Sequence, residues 1–151
     1  MAFFSRGGVR LYYEDHGTGP AVLLTHGYSS TGQAWRGQAE AFKDRYRIIF
    51  WDMRGHGESD YPDDPAQYSL ANTVGDMAAL LDECGLTSAV IGGLSLGGYS
   101  SLAFHMAHPD RCDALILCDT GPGFKSDESR LAWNERANAR AETWEREGLS
   151  A

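Results

Sequence analysis

The sequence predicts an α/β fold, with a mostly parallel sheet covered on both faces and an antiparallel hairpin at its start. Three observations carry that prediction. Short, uninterrupted apolar runs recur along the chain, helical apolar spacing appears between them, and Gly- and Pro-rich turns separate the two patterns. At 151 residues the chain is long enough for one real core, but short for an enzyme that needs a large twisted sheet.

The hairpin comes first. Residues 9–14 alternate partly in polarity behind the turn signal Gly7-Gly8, with Phe3 and Phe4 on the opposing arm. After the break at Gly17-Thr18-Gly19-Pro20, the run Ala21-Val22-Leu23-Leu24-Thr25 has the composition of a strand buried on both faces. Residues 47–52, 89–93 and 114–119 repeat that signature. Between them, residues 69–84 place Leu70, Val74, Met77, Leu81 and Cys84 at helical spacing, with Ser69 suited to the N-cap and Gly85 to the stop. Further helices are expected near Thr31 and from Leu96. Past Gly121-Pro122-Gly123, residues 126–147 are rich in Arg, Glu and Ala, and Trp133, Ala137, Ala141 and Trp144 share one stripe. The expected division is therefore a core over 1–122 and a helical segment over 123–151.

Bulk properties narrow the function. A net charge of −8 without a Lys/Arg cluster argues against nucleic acid or an anionic membrane surface as partner. The mixed charges of the last helix argue against a membrane role for it as well. The start Met1-Ala2-Phe3-Phe4-Ser5-Arg6 has neither a basic region nor a long apolar run, so a cytoplasmic protein is expected. Cys84, Cys112 and Cys118 form no metal-binding spacing and read as reduced structural thiols. No residue set implies a metal, nucleotide or flavin cofactor.

Chemistry concentrates at Gly93-Leu94-Ser95-Leu96-Gly97. As a bare pattern, G-x-S-x-G is a weak signal in a glycine-rich chain. Its setting gives it weight: an apolar strand runs directly into it and a helical pattern leaves directly from it. Such a turn is too tight for bulk two residues before or after the serine, and it lifts the hydroxyl above the sheet edge. The helix start, Leu96 N–H first, then points at any developing oxyanion. His26-Gly27-Tyr28 follows the 21–25 strand, in the loop expected to supply the second amide, Tyr28 N–H. His56, in the glycine-punctuated loop after Trp51-Asp52, reads as a structural loop histidine.

These motifs resemble the α/β-hydrolase superfamily, in its cofactor-independent esterase, lactonase and haloperoxidase-like branch. His26-Gly27-Tyr28 is similar to its oxyanion loop, Asp52-Met53-Arg54-Gly55-His56-Gly57-Glu58-Ser59 to its G-x-G-x-S loop, and residues 93–97 to its nucleophile elbow. The resemblance covers nearly the whole chain, with residues 3–119 matching the first six strands and Gly121 onward the entry to a cap or lid. It implies Ser95 as nucleophile, Leu96 and Tyr28 as oxyanion-hole residues, His26 and Gly27 as loop-shaping residues, and a small acyl compound as substrate. Members with an aspartate at the elbow are epoxide hydrolases or dehalogenases; serine points to acyl chemistry.

The family's chain order is serine, then an acid, then histidine. Beyond Ser95 the histidines are His105 and His108, roughly 15 to 20 Å along the next helix at the usual rise, too far to bond the serine. Asp119, at the end of the neighbouring strand, is a candidate acid, with a turn-capping role as its alternative. The family's remaining strands, later acid and histidine would follow Ala151. Either the chain is part of a longer gene product, or its site is absent, improvised or completed by another chain. Two other functions stay open: a binding module on a hydrolase scaffold, and carbon-carbon bond hydrolysis or perhydrolysis. The last strand would also form an open edge. Self-association through it, or instability of the isolated chain, is the expected result in sedimentation velocity; a sharp monomeric boundary with cooperative unfolding would count against it.

Overall fold

In the computed structural model, residues 2–121 and 123–148 are described. The chain divides into two compact units, residues 1–121 and 122–151, each described by itself. The first is a six-stranded sheet in the order β1-β2-β4-β3-β5-β6. Strands β1 (Ala2–Arg6) and β2 (Val9–His16) form the antiparallel hairpin, and β2 pairs antiparallel with β4 (Arg47–Trp51). The parallel part consists of β4, β3 (Ala21–Thr25), β5 (Ala89–Leu94) and β6 (Cys112–Cys118).

Both faces are covered, as runs apolar on both sides require. On one face Leu23, Ile49 and Ile91 pack with Met77, Leu80 and Leu81 of α2 (Leu70–Glu83) and Phe104 of α3 (Leu96–Ala107). All seven are fully buried, and each contributes about 2 kcal/mol by leaving water, more than an exposed ion pair supplies. On the other face Val22, Leu24, Ile48 and Phe50 pack with Ala39 of α1 (Arg36–Phe42) and with Trp35 and Tyr46. That cover stops short of β6, leaving an apolar groove of about 530 Å³ floored by Val22, Leu24, Val90 and Ile116. Among the described residues β6 pairs only with β5, and Ile116 and Leu117 stay exposed.

Local signals account for the helix ends. Ser69 caps α2 by accepting from Asn72 N–H at 3.2 Å, and Gly85 follows at φ 67°. The helix expected near Thr31 is a 3-10 turn, Gly32–Trp35, leading into seven residues of α helix. Strand β6 starts two residues earlier than its apolar run, at Cys112, because an irregularity at Ala89/Val90 brings Cys112 into register. Asp113, expected ahead of this strand, therefore lies within it, near the end away from the elbow.

An ionic trio around a buried carboxylate ties the hairpin to α2. Asp76 on α2 is fully buried and receives Arg54 at 2.7 and 2.8 Å and Arg6 of β1 at 3.0 Å. Two cations on one carboxylate offset the cost of taking these charges out of water. The trio also fixes the loop that follows β4.

The second unit contains α4 (Asp127–Glu147), capped by Ser126, which accepts from Ser129 N–H at 3.2 Å. None of its residues is buried, and Trp133 is 39% exposed. Among the described residues no helix is long and apolar enough to cross a membrane.

Candidate active site

The parallel strands end together. Thr25 of β3 is level with Trp51 of β4 and Gly93 of β5, and Leu94 with Cys118 of β6. From β3 the chain goes to β4 on one side, and from β5 to β6 on the other. The loops after β3 and β5 thus flank the point where the winding reverses, where open α/β sheets collect ligands. Those loops carry His26-Gly27-Tyr28 and Ser95.

Ser95 joins β5 to α3 at φ 51° and ψ −111°, a backbone region costly for any residue with a side chain, and the residue is exposed. Close approach explains the glycines around it. A Cβ on Gly93 would lie 2.3 Å from the Gly97 carbonyl carbon, and one on Gly97 would lie 2.2 Å from the Thr25 oxygen. Neither position admits a side chain, so the chain can reverse there only with glycine. The strained residue is held by its own backbone: Ser95 N–H donates to the Cys118 carbonyl at 2.9 Å, and its carbonyl accepts from Tyr99 N–H at 3.0 Å and from the Thr120 hydroxyl at 2.7 Å.

The loop after β3 stands against this elbow. A Cβ on Gly27 would be 3.3 Å from the Leu94 carbonyl oxygen and 3.6 Å from Ser95 Cβ. His26, fully buried, sets the loop's course. Its Nε2 accepts from Met53 N–H at 3.0 Å and its Nδ1 lies 2.8 Å from the Gly27 carbonyl oxygen. An amide can only donate and a carbonyl can only accept, so the ring is neutral with its proton on Nδ1. Burial pushes its pKa down to about 4, against the opposing pull of the Gly27 carbonyl, and the neighbouring His56 adds to the depression. With both nitrogens engaged, His26 joins two loops and has no lone pair for the Ser95 proton.

The loop after β4 is organised by Asp52. Its carboxylate accepts from Gly32 N–H at 2.6 Å and Glu58 N–H at 2.9 Å, while its carbonyl accepts from the Ser59 hydroxyl at 2.6 Å. The His56 ring packs tilted against His26, 4.8 Å between ring centroids, and its Nδ1 lies 3.0 Å from the Arg54 carbonyl. It serves the loop, as expected for a structural histidine.

This architecture, strand-elbow-helix with a facing glycine loop, has known counterparts. The sequence profile of the alpha/beta hydrolase fold matches residues 20–147. The chain belongs to the alpha/beta hydrolase family. Within that family, it is 35% identical over 146 residues to a Bacillus subtilis (strain 168) protein assigned as 2-succinyl-6-hydroxy-2,4-cyclohexadiene-1-carboxylate synthase, covering 95% of this chain and 53% of that one. It is 38% identical over 110 residues to an epoxide hydrolase of Caballeronia sordidicola, covering 72% and 33%. Among solved structures, a thermophilic esterase from Thermogutta terrifontis superposes with a TM-score of 0.83 at 36% identity, covering 97% of this chain and 52% of that one. The chain thus spans about half the length, or less, of these alpha/beta hydrolases.

Set on the hydrolase scaffold, the remaining candidates divide. Leu96 is the first residue of α3, and Tyr28, 38% exposed, follows Gly27 in the facing loop. Asp119 lies just past β6 at φ 44°, exposed, between two residues that both bond the Ser95 backbone. Its carboxylate has no hydrogen-bond partner among the described residues. His105 lies within α3, and His108 caps its end against Phe104 at 5.1 Å. Among the described residues no hydrogen bond joins Ser95 Oγ to an imidazole. Two contributors escaped the sequence reading, Met53 as partner of His26 and Thr120 as partner of Ser95. Met53 acts through its backbone N–H, and the Thr120 hydroxyl meets a backbone carbonyl, so neither contact leaves a motif to read.

Proposed function

We propose that Ser95 is the nucleophile of a carboxylic ester or lactone hydrolase that works through an acyl-enzyme. The observation that carries this reading is an exposed serine on a strained elbow, directly beside the loop of His26 and Gly27. Ser95 Oγ attacks the acyl carbonyl carbon, its proton passes to a general base, and the carbonyl oxygen takes up the negative charge. The N–H groups of Leu96 and Tyr28 are the proposed donors to that oxygen. The alkoxide then leaves with a proton, and water releases the acid in a second, equivalent cycle. The base lies outside the described residues in this proposal, since the geometry of His26 leaves it no free nitrogen. A hydroxyl at the elbow favours acyl transfer over the epoxide chemistry named for one of the relatives.

The expected result is covalent labelling of Ser95 by a fluorophosphonate probe in the folded, natural-length gene product, with labelling lost in Ser95→Ala. A folded natural-length sample that takes up no label would reject the proposal. One observation favours a second reading, a ligand-binding module on a hydrolase scaffold: Ser95 Oγ has no imidazole partner among the described residues. That reading predicts ligand binding without ester turnover.

A further inference from the structure

The elbow is gripped from the side by β6, and the grip reaches the group proposed to stabilise the oxyanion. Ser95 C=O and Leu96 N–H belong to one peptide unit. That unit is planar and trans, so its carbonyl and its N–H point in opposite directions. Whatever holds the carbonyl therefore aims the N–H. Two donors hold it: Tyr99 N–H, the first turn of α3, at 3.0 Å, and the Thr120 hydroxyl at 2.7 Å. Together they occupy both lone pairs of the oxygen.

The two donors are not equivalent. The Tyr99 bond runs along the helix and forms in any helix that starts here. The Thr120 bond comes from outside the helix, across from β6, and anchors the peptide to a second element. Its neighbour Cys118 holds the other side of the same residue, accepting from Ser95 N–H at 2.9 Å. The Thr120 methyl is also fixed, packed so close to Gly98 that a Cβ there would lie 2.5 Å from Cγ2. With that rotamer held, the hydroxyl has a set direction.

The geometry points to Thr120 as a positioning residue for the oxyanion hole: through the Ser95 carbonyl it aims and polarises the Leu96 N–H. A hydroxyl donating to the carbonyl draws electron density toward the oxygen and leaves the N–H of the same amide a stronger donor. Its effect belongs to the step in which negative charge develops on the substrate oxygen, and not to ground-state binding. This inference rests on the reading of Ser95 as the nucleophile.

The test is inactivation of the natural-length protein by a fluorophosphonate, with the maximal rate of labelling and the half-saturating concentration measured separately. The serine oxygen bonds to phosphorus and fluoride leaves, while the phosphoryl oxygen occupies the place of the oxyanion. In Thr120→Val, which keeps the shape and removes the donor, the maximal rate is expected to fall about tenfold with the half-saturating concentration unchanged; loss of a whole oxyanion donor is worth 10²–10³. Thr120→Ser, which restores the hydroxyl, is expected to recover the rate to within about threefold. An equal rate in wild type and Thr120→Val overturns the inference and leaves the nucleophile standing. So does a Thr120→Val defect that Thr120→Ser fails to repair, or one confined to the half-saturating concentration. No labelling of the wild type overturns both.

Discussion

Gly97→Ala is expected to lower the stability of this chain by at least about 3 kcal/mol, read as a fall in the urea midpoint at unchanged slope. The added methyl would lie 2.2 Å from the Thr25 carbonyl oxygen, 2.6 Å from the Thr25 carbonyl carbon and 2.6 Å from the His26 oxygen. These are backbone atoms at the end of β3, the central strand, and they have no rotamer to escape into. Relief requires α3 to move away from the sheet, which opens the packing of Phe104 and separates Ser95 from the Gly27 loop. Stability and Ser95 labelling are thus expected to fall together. Gly37→Ala in α1 is the control: a Cβ there meets nothing within 4 Å, and the substitution should stabilise by roughly 0.5 to 1 kcal/mol. Equal midpoints for Gly97→Ala and wild type would refute the claim that backbone contact demands the glycine.

Acidification from pH 6.5 to pH 4 is expected to remove about 3 kcal/mol of stability through His26 alone. The sign follows from the direction of the shift. Burial lowers the folded pKa of His26 to about 4, against 6.5 for an unfolded histidine, so between these values the unfolded chain binds the extra proton. The contribution is complete above pH 6.5 and declines as the pH falls toward 4. Protonation has a structural cost as well, because a charged ring has no acceptor for Met53 N–H and the two loops lose their tie. Glu14 acts in a lower window. Burial would raise its carboxyl, but hydrogen bonds from Arg36, Tyr12 and His16 overcome that and hold it at about 2, so its contribution is lost below about pH 4.5. Urea unfolding at a series of pH values separates the two, with His26→Gln expected to flatten the upper slope. A wild-type stability that does not change between pH 6.5 and pH 4.5 would contradict the assignment of a neutral His26.

The fold could be read from the sequence wherever burial acts on contiguous residues. The runs 21–25 and 47–51 are strands because both their faces are covered, and Ser69 starts α2 because its hydroxyl meets an amide three residues on. The elbow was readable for a similar reason: two glycines at fixed offsets from a serine reflect steric demands made within five residues. Contacts between distant segments left no such trace. Arg6, Arg54 and Asp76 converge from positions up to 70 residues apart, and each alone looks like an ordinary surface charge. The start of β6 at Cys112 was hidden because pairing with β5 makes it a strand, while its first two side chains lack the apolar character of the run. Thr120 was invisible for want of any motif, since its partner is a carbonyl that every residue possesses. His26 stood in the right loop, yet its tautomer came only from the two backbone groups that flank it.

The clasp on Ser95 has a mechanical corollary. Cys118 ends β6, which pairs only with β5 among the described residues, and Thr120 follows just past it. The backbone of Ser95 is thereby tied to an edge of the sheet, and its amide is expected to open with that edge. A polypeptide paired along β6 would then be expected to protect the Ser95 amide as well, so hydrogen exchange at the two places should slow together.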